Sequence, residues 1–203
     1  MLFRSGGRIE IAYGRSHLAV ELPPEAEETV IRKRDLPRID DPAAAIAAVL
    51  ERPTGSAPLS ELARGKRSAC ILICDITRPV PNHLFLRPMI ERLLAAGVPA
   101  SGITVLVATG LHRPNEGAEL EELVGDPWVL RTVRVTNHFA RNDEDHVDLG
   151  ATPTRGVPIR INRLFAEAEL RIATGLVEPH FMAGWSGGRK VVAPGVAHHT
   201  TIR

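Results

Sequence analysis

The run SACILIC at 68–74 is continuously apolar and bounded by charge, with Asp75 directly after it. HLFLRPMIERLLAAG follows at 83–97 with helical spacing of Phe85, Met89 and Leu93 and with Gly97 as a stop, and GITVLVA at 102–108 is a second apolar run. Strand, helix, strand in this order is a βαβ unit, which forces two parallel strands with a crossover between them. Downstream, 115–124 reads as a helix, RTVRVTN (131–137) and VPIRINR (157–163) as strands, NRLFAEA as a turn or two of helix, and ELRIATG (169–175) as another strand. The expected fold class is α/β, a doubly wound and mainly parallel, Rossmann-like sheet.

The N-terminal part differs. RIEIAYG and HLAVELP alternate around Gly14 and predict a β-hairpin. The charged stretch IRKRDLPRIDDP, which includes Lys33, then links to the helix PAAAIAAVLER, with Asp41 as cap, Pro42 at its first position and Pro53 beyond its end. Cys70 and Cys74 lie on one face of a strand about 13 Å apart, too far for a disulfide, and read as core packing in a reduced compartment.

In an open parallel sheet, ligands bind in the crevice at the carboxyl ends of the strands. Here those exits read CDITRPVPN, ATGLHRPN, TNHFARND and ATGLVEPH, so Asp75, Arg78, His112, Arg113, His138, Arg141, Glu178 and His180 are expected along one edge. Two exits share the run ATGL and read as turns of like geometry. His112 and His180 are the candidate acid/base groups, because histidine exchanges protons near neutral pH. His138 reads equally as a turn residue, and His17, His83 and His146 as structural. Asp75 and Arg78 are either a self-compensating pair or a grip on a ligand, and their position favours the grip.

GWSGGRK at 184–190 can turn successive backbone N–H groups toward an anion, with Arg189 and Lys190 alongside, although glycines also serve tight turns generally. Neither the Walker pattern nor GxGxxG is present. Trp185 reads as a wall of the pocket. The chain has 22 Arg but three Lys (Lys33, Lys66 and Lys190), so a lysine beside Arg189 suggests a need for a nucleophilic amine. With 25 cations against 24 anions, bulk charge gives no reason to expect nucleic acid or an anionic membrane as partner. The N-terminus lacks an apolar signal region and no run approaches the length of a membrane span, which points to a cytoplasmic protein.

DITRP, TGLHRP, EPHFMAGWSGGRK and APG, in this order and spacing, resemble the N-terminal half of the lactate racemase family that carries a nickel-pincer nucleotide. The resemblance runs from Tyr13–Gly14 to the chain end and implies one domain over 1–203, with the family's C-terminal domain absent. It further implies a racemase or epimerase of a small 2-hydroxy acid, using nickel pyridinium-3,5-bisthiocarboxylic acid mononucleotide made by dedicated cofactor-synthesis enzymes. Lys190 matches the covalent anchor, His112 and His180 the acid/base pair, and Asp75, Ile76, Thr77, Arg78 and Pro194 the cofactor-contacting positions. Arg78 or Arg113 would hold the substrate carboxylate. The family's nickel-ligating histidine lies farther from the lysine than Arg203; His198 and His199 sit too close to Lys190 to be assigned to that position and read first as caps of a following helix, with a ligand role as the alternative because histidine is the usual nickel ligand. Two other classes fit the residues alone: a phosphate- or nucleotide-binding module without catalysis, and a Schiff-base enzyme using Lys190.

Overall fold

The structure, a computed structural model, describes residues 3–5, 7–29, 31 and 35–203; Lys33 lies outside them. It divides into two compact units, 1–40 and 41–203. In the first, β1 (Phe3–Ser5) pairs antiparallel with β4 (Glu27–Thr29), and β2 (Arg8–Tyr13) forms a hairpin with β3 (Ser16–Glu21). Tyr13 pairs with Ser16 across a two-residue turn, in which Gly14 takes φ +58°. The expected hairpin is therefore present, with Gly14 and Arg15 as the turn.

The second unit begins with α1 (Pro42–Glu51), where Asp41 accepts a hydrogen bond from the Ala44 amide and Pro42 occupies the first turn. Next come α2 (Leu59–Ala63), β5 (Ala69–Cys74), α3 (Asn82–Ala95) and β6 (Ile103–Ala108). α4 (Gly117–Val124) starts two residues later than its sequence pattern suggests. Residues 131–132, expected in a strand, instead end α5 (Pro127–Thr132), a helix capped by Asp126; β7 is confined to Arg134–Asn137. β8 (His146–Ala151) and β9 (Pro158–Asn162) form an antiparallel pair, followed by α6 (Arg163–Ala166) and β10 (Leu170–Ala173). The chain ends in a short hairpin, β11 (Pro179–His180) and β12 (Gly184–Trp185), then α7 (Arg189–Val192) and α8 (His199–Ile202). Among the described residues, no helix is long and apolar enough to cross a membrane.

The parallel sheet runs β10–β5–β6–β7. Its central strands are apolar on both faces because both are covered, and alternate residues serve different layers. Ile71, Ile73, Val105 and Val107 pack with Leu86, Ile90 and Leu93 of α3. Cys70, Leu72, Leu106 and Ala108 pack with Phe165 of α6 and Val191 of α7. The sheet is thus wound on both sides, as expected. Cys70 is fully buried and burial pushes its thiol up to about 12, so it packs as an inert apolar group. From β5 the chain proceeds outward through β6 and β7, then returns to the other side of β5 as β10. This reversal of strand order opens a crevice at the carboxyl ends of β5, β6 and β10.

Candidate active site

A cavity of about 230 Å³ occupies that crevice. The exit of β5 contributes Cys74, Asp75 and Arg78; the exit of β6 contributes Thr109 through His112; and Leu176 follows β10. Lys190 of α7 and the cis Ala193–Pro194 turn complete the wall. Residues more than a hundred positions apart are brought together because each parallel strand delivers its next loop to the same edge.

Asp75 is buried and accepts hydrogen bonds from both the amide and the hydroxyl of Thr77 on Oδ1. Its Oδ2 lies 2.7 Å from Nδ1 of His112. Burial alone would raise its pKa, but the hydrogen bonds from the Thr77 hydroxyl, His112 and the Thr77 amide outweigh this and hold the carboxyl below its ordinary value. The carboxylate therefore fixes His112 with the proton on Nδ1 and leaves Nε2 as the free nitrogen of a half-exposed ring. Asp75 is a positioning residue for His112, and its partner is not Arg78, so the self-compensating reading of DITRP does not hold.

The side chains of Arg78 and Lys190 have no hydrogen-bond or ion-pair partner among the described residues, although both line the cavity. Two unpaired cations beside one half-enclosed space are suited to an anionic ligand. Lys190 follows a close-packed turn. A side chain on Gly187, at φ +69°, would meet the Leu176 carbonyl at 2.6 Å, and one on Gly195 would meet the Val191 carbonyl at 2.0 Å. The glycine at 188 differs: a Cβ there would meet nothing within 4 Å. Glycine at 187 and 195 thus serves backbone packing that holds α7 and Lys190 against the cavity.

Several of the expected residues lie outside the cavity lining. Arg113 is exposed and locked in a two-pronged pair with Glu119, at 2.6 and 2.7 Å, outside the cavity lining. Ile76 and Thr77 belong to the loop but do not line the cavity; Thr77 acts by binding Asp75. His180 sits on the β11–β12 hairpin, outside the lining, with its ring stacked on Phe181. Trp185 is 63 % exposed and lies outside the lining of this cavity. The two ATGL turns differ, with φ +55° at Gly110 and +158° at Gly175.

His138 resolves as a core residue: its Nε2 donates to the Ala197 carbonyl and its Nδ1 accepts from Asn162. It begins a row of rings in edge-to-face and tilted contact, running through His146, His198 and His199, that the sequence does not disclose. His198 caps α8, as expected, and neither it nor His199 lines the cavity. Among the described residues, no three His, Cys, Asp or Glu side chains are placed to hold a metal ion. The cavity therefore suits the organic, anionic part of the implied nucleotide, through an unpaired amine and guanidinium, and supplies no protein cluster for its nickel.

Fold and cavity define an α/β domain of the doubly wound class with its cavity at the switch point of the sheet. Residues 13–203 match the model of the lactate racemase N-terminal domain, and the chain belongs to that family. It is 43 % identical to a lactate racemase of Lactiplantibacillus plantarum over 153 residues, which cover 75 % of this chain and 35 % of that protein. With a lactate racemase of Thermoanaerobacterium thermosaccharolyticum it shares 37 % over 195 residues, covering 93 % and 44 %. The chain thus spans less than half the length of either relative. The solved apoprotein structure of the lactate racemase from T. thermosaccharolyticum superposes with a TM-score of 0.76 at 34 % identity, covering 97 % of this chain and 45 % of that one. A Thermotoga maritima protein matches with a TM-score of 0.58 at 29 % identity, covering 71 % and 38 %.

Proposed function

We propose that this chain is the cofactor-anchoring and catalytic domain of a racemase or epimerase of lactate or a similar small 2-hydroxy acid. The observation that carries this reading is the meeting in one cavity of an unpaired Lys190, an unpaired Arg78 and a histidine oriented by Asp75. Lys190 would tether the nickel-pincer nucleotide through its amine; Arg78 would hold an anionic group of it or the substrate carboxylate; Pro194 would bound it. When bound, that group supplies the acceptor and donor of hydride at the substrate α-carbon. His112 would take the hydroxyl proton on Nε2, while Asp75 stabilises the cation that forms. His180 would serve the opposite enantiomer. Thr77 keeps Asp75 ionised and aimed, so that it supports His112 without itself taking the proton. The cofactor-making enzymes, and a C-terminal domain supplying further substrate contacts, are the partners this reading needs.

Co-expression with the cofactor-making enzymes, followed by intact-mass measurement and peptide mapping, tests it. An adduct on Lys190 that Lys190→Arg removes is the expected result. An unmodified chain overturns the reading, and a borohydride-trappable carbonyl adduct in its place would indicate Schiff-base chemistry.

A further inference from the structure

His112 and His180 are placed in different hydrogen-bonding surroundings, and those surroundings dictate where each neutral ring keeps its proton. The acceptor facing Nδ1 of His112 is the Asp75 carboxylate, at 2.7 Å, so Nδ1 carries the hydrogen and Nε2 the lone pair. At His180 the arrangement is inverted. The backbone amides of Met182 and Ala183, at the tip of the β11–β12 hairpin, lie 3.3 and 3.2 Å from Nδ1. An amide N–H can only donate, so Nδ1 is the acceptor and the hydrogen resides on Nε2.

We infer that the two histidines are held in opposite tautomers, with Asp75 as the positioning group for His112 and the hairpin-tip amides of Met182 and Ala183 as those for His180. This rests on the reading of the two rings as the acid/base pair. Its consequence is that they are not interchangeable. His112 can accept a hydroxyl proton on Nε2 as it stands. His180 can donate an N–H hydrogen bond to a substrate oxygen, but it cannot take a proton on Nε2, because a hydrogen is already there. To act as a base through Nε2 it must first release both amides and move that hydrogen to Nδ1, and even to act through Nδ1 it must release the amides, either of which breaks the tip turn. The turn is a suitable catch, because little else holds the tip: Phe181 is 94 % and Met182 80 % exposed. The base of the hairpin, by contrast, is fastened by Ser186, whose amide donates to the Glu178 carbonyl and whose hydroxyl donates to the Leu176 carbonyl. Opening is thereby confined to the segment carrying His180.

Long-range proton–nitrogen spectra of the ¹⁵N-histidine-labelled chain, recorded at about pH 8.5, above the ordinary histidine pKa of about 6.5, read tautomers directly. Signals are assigned with His112→Gln and His180→Gln. The expected result is a protonated Nδ1 at His112 and a protonated Nε2 at His180. In Asp75→Asn, whose amide donates as well as accepts, the His112 preference is lost while the His180 pattern stays. A protonated Nδ1 at His180, or averaged signals from either ring in the unaltered chain, overturns the inference. Because that spectrum needs neither cofactor nor substrate, the tautomer result and the Lys190 adduct succeed or fail separately.

Discussion

Acid should unfold this domain through its buried histidines before its carboxylates titrate. His138 is 1 % exposed, and both ring nitrogens are committed, one to the Ala197 carbonyl and one to Asn162. Burial foremost, and His146 next to it, depress its pKa from 6.5 to about 4. Burial likewise lowers His146 and His198. Above pH 6.5 the ring is neutral in both the folded and the unfolded chain, and its contribution to stability is complete. As pH falls from 6.5 toward 4, the unfolded chain takes up a proton that the folded chain refuses, so stability drops at about 1.36 kcal/mol per pH unit for each such group. His138 alone then costs about 2 kcal/mol by pH 5 and about 3 kcal/mol by pH 4, out of a typical margin of about 5–15 kcal/mol. The lowered carboxylates, Asp75 and Glu119 among them, lose their stabilisation only below their own unfolded values, near pH 4, which leaves the window above to histidine. Urea unfolding followed by circular dichroism between pH 7.5 and pH 4.8 measures the slope. His138→Gln is expected to start less stable at pH 7.5 and to lose about one proton's worth of that slope. An unaltered chain whose stability is flat over this range, or a variant with the same slope as the parent, would refute the reasoning.

Two further outcomes follow from the site. Gly187→Ala places a methyl group 2.6 Å from the Leu176 carbonyl in a backbone conformation unsuited to alanine, and is expected to destabilise the domain by about 1–3 kcal/mol in urea titration; an unchanged midpoint would show that the turn relaxes freely. Titration with a pyridinium mononucleotide should show affinity weakened at least tenfold in Arg78→Ala and unchanged in Arg113→Ala; the reverse order would mean that Arg113 leaves Glu119 to bind ligand.

What could be read from the residues, and what could not, separates along a physical line. β5, α3 and β6 are legible because their periodicity is local and their burial on both sides leaves no polar interruption. β8 escapes notice because four of its six residues are exposed and, among the described residues, it pairs only with β9. α5 was signalled by Asp126–Pro127, a cap followed by a first-turn proline, but its short apolar content merges with the strand behind it. At the site, strand exits locate an edge without giving the direction of a side chain on it. Asp75, Arg78 and His112 lie within four residues of a strand end and line the cavity, but Ile76 and Thr77 of the same loop do not, so closeness to the strand end is not sufficient. Arg113, one residue further, meets Glu119 in the first turn of α4, which claims its guanidinium. His180 lies seven residues beyond β10, and by then a new pairing, Pro179 with Trp185 and His180 with Gly184, has taken over its orientation. Lys190 lies farther still beyond β10 and yet lines the cavity, carried there by α7, so what a sequence leaves unread is the local hairpin or helix that captures a residue, rather than its distance from the sheet.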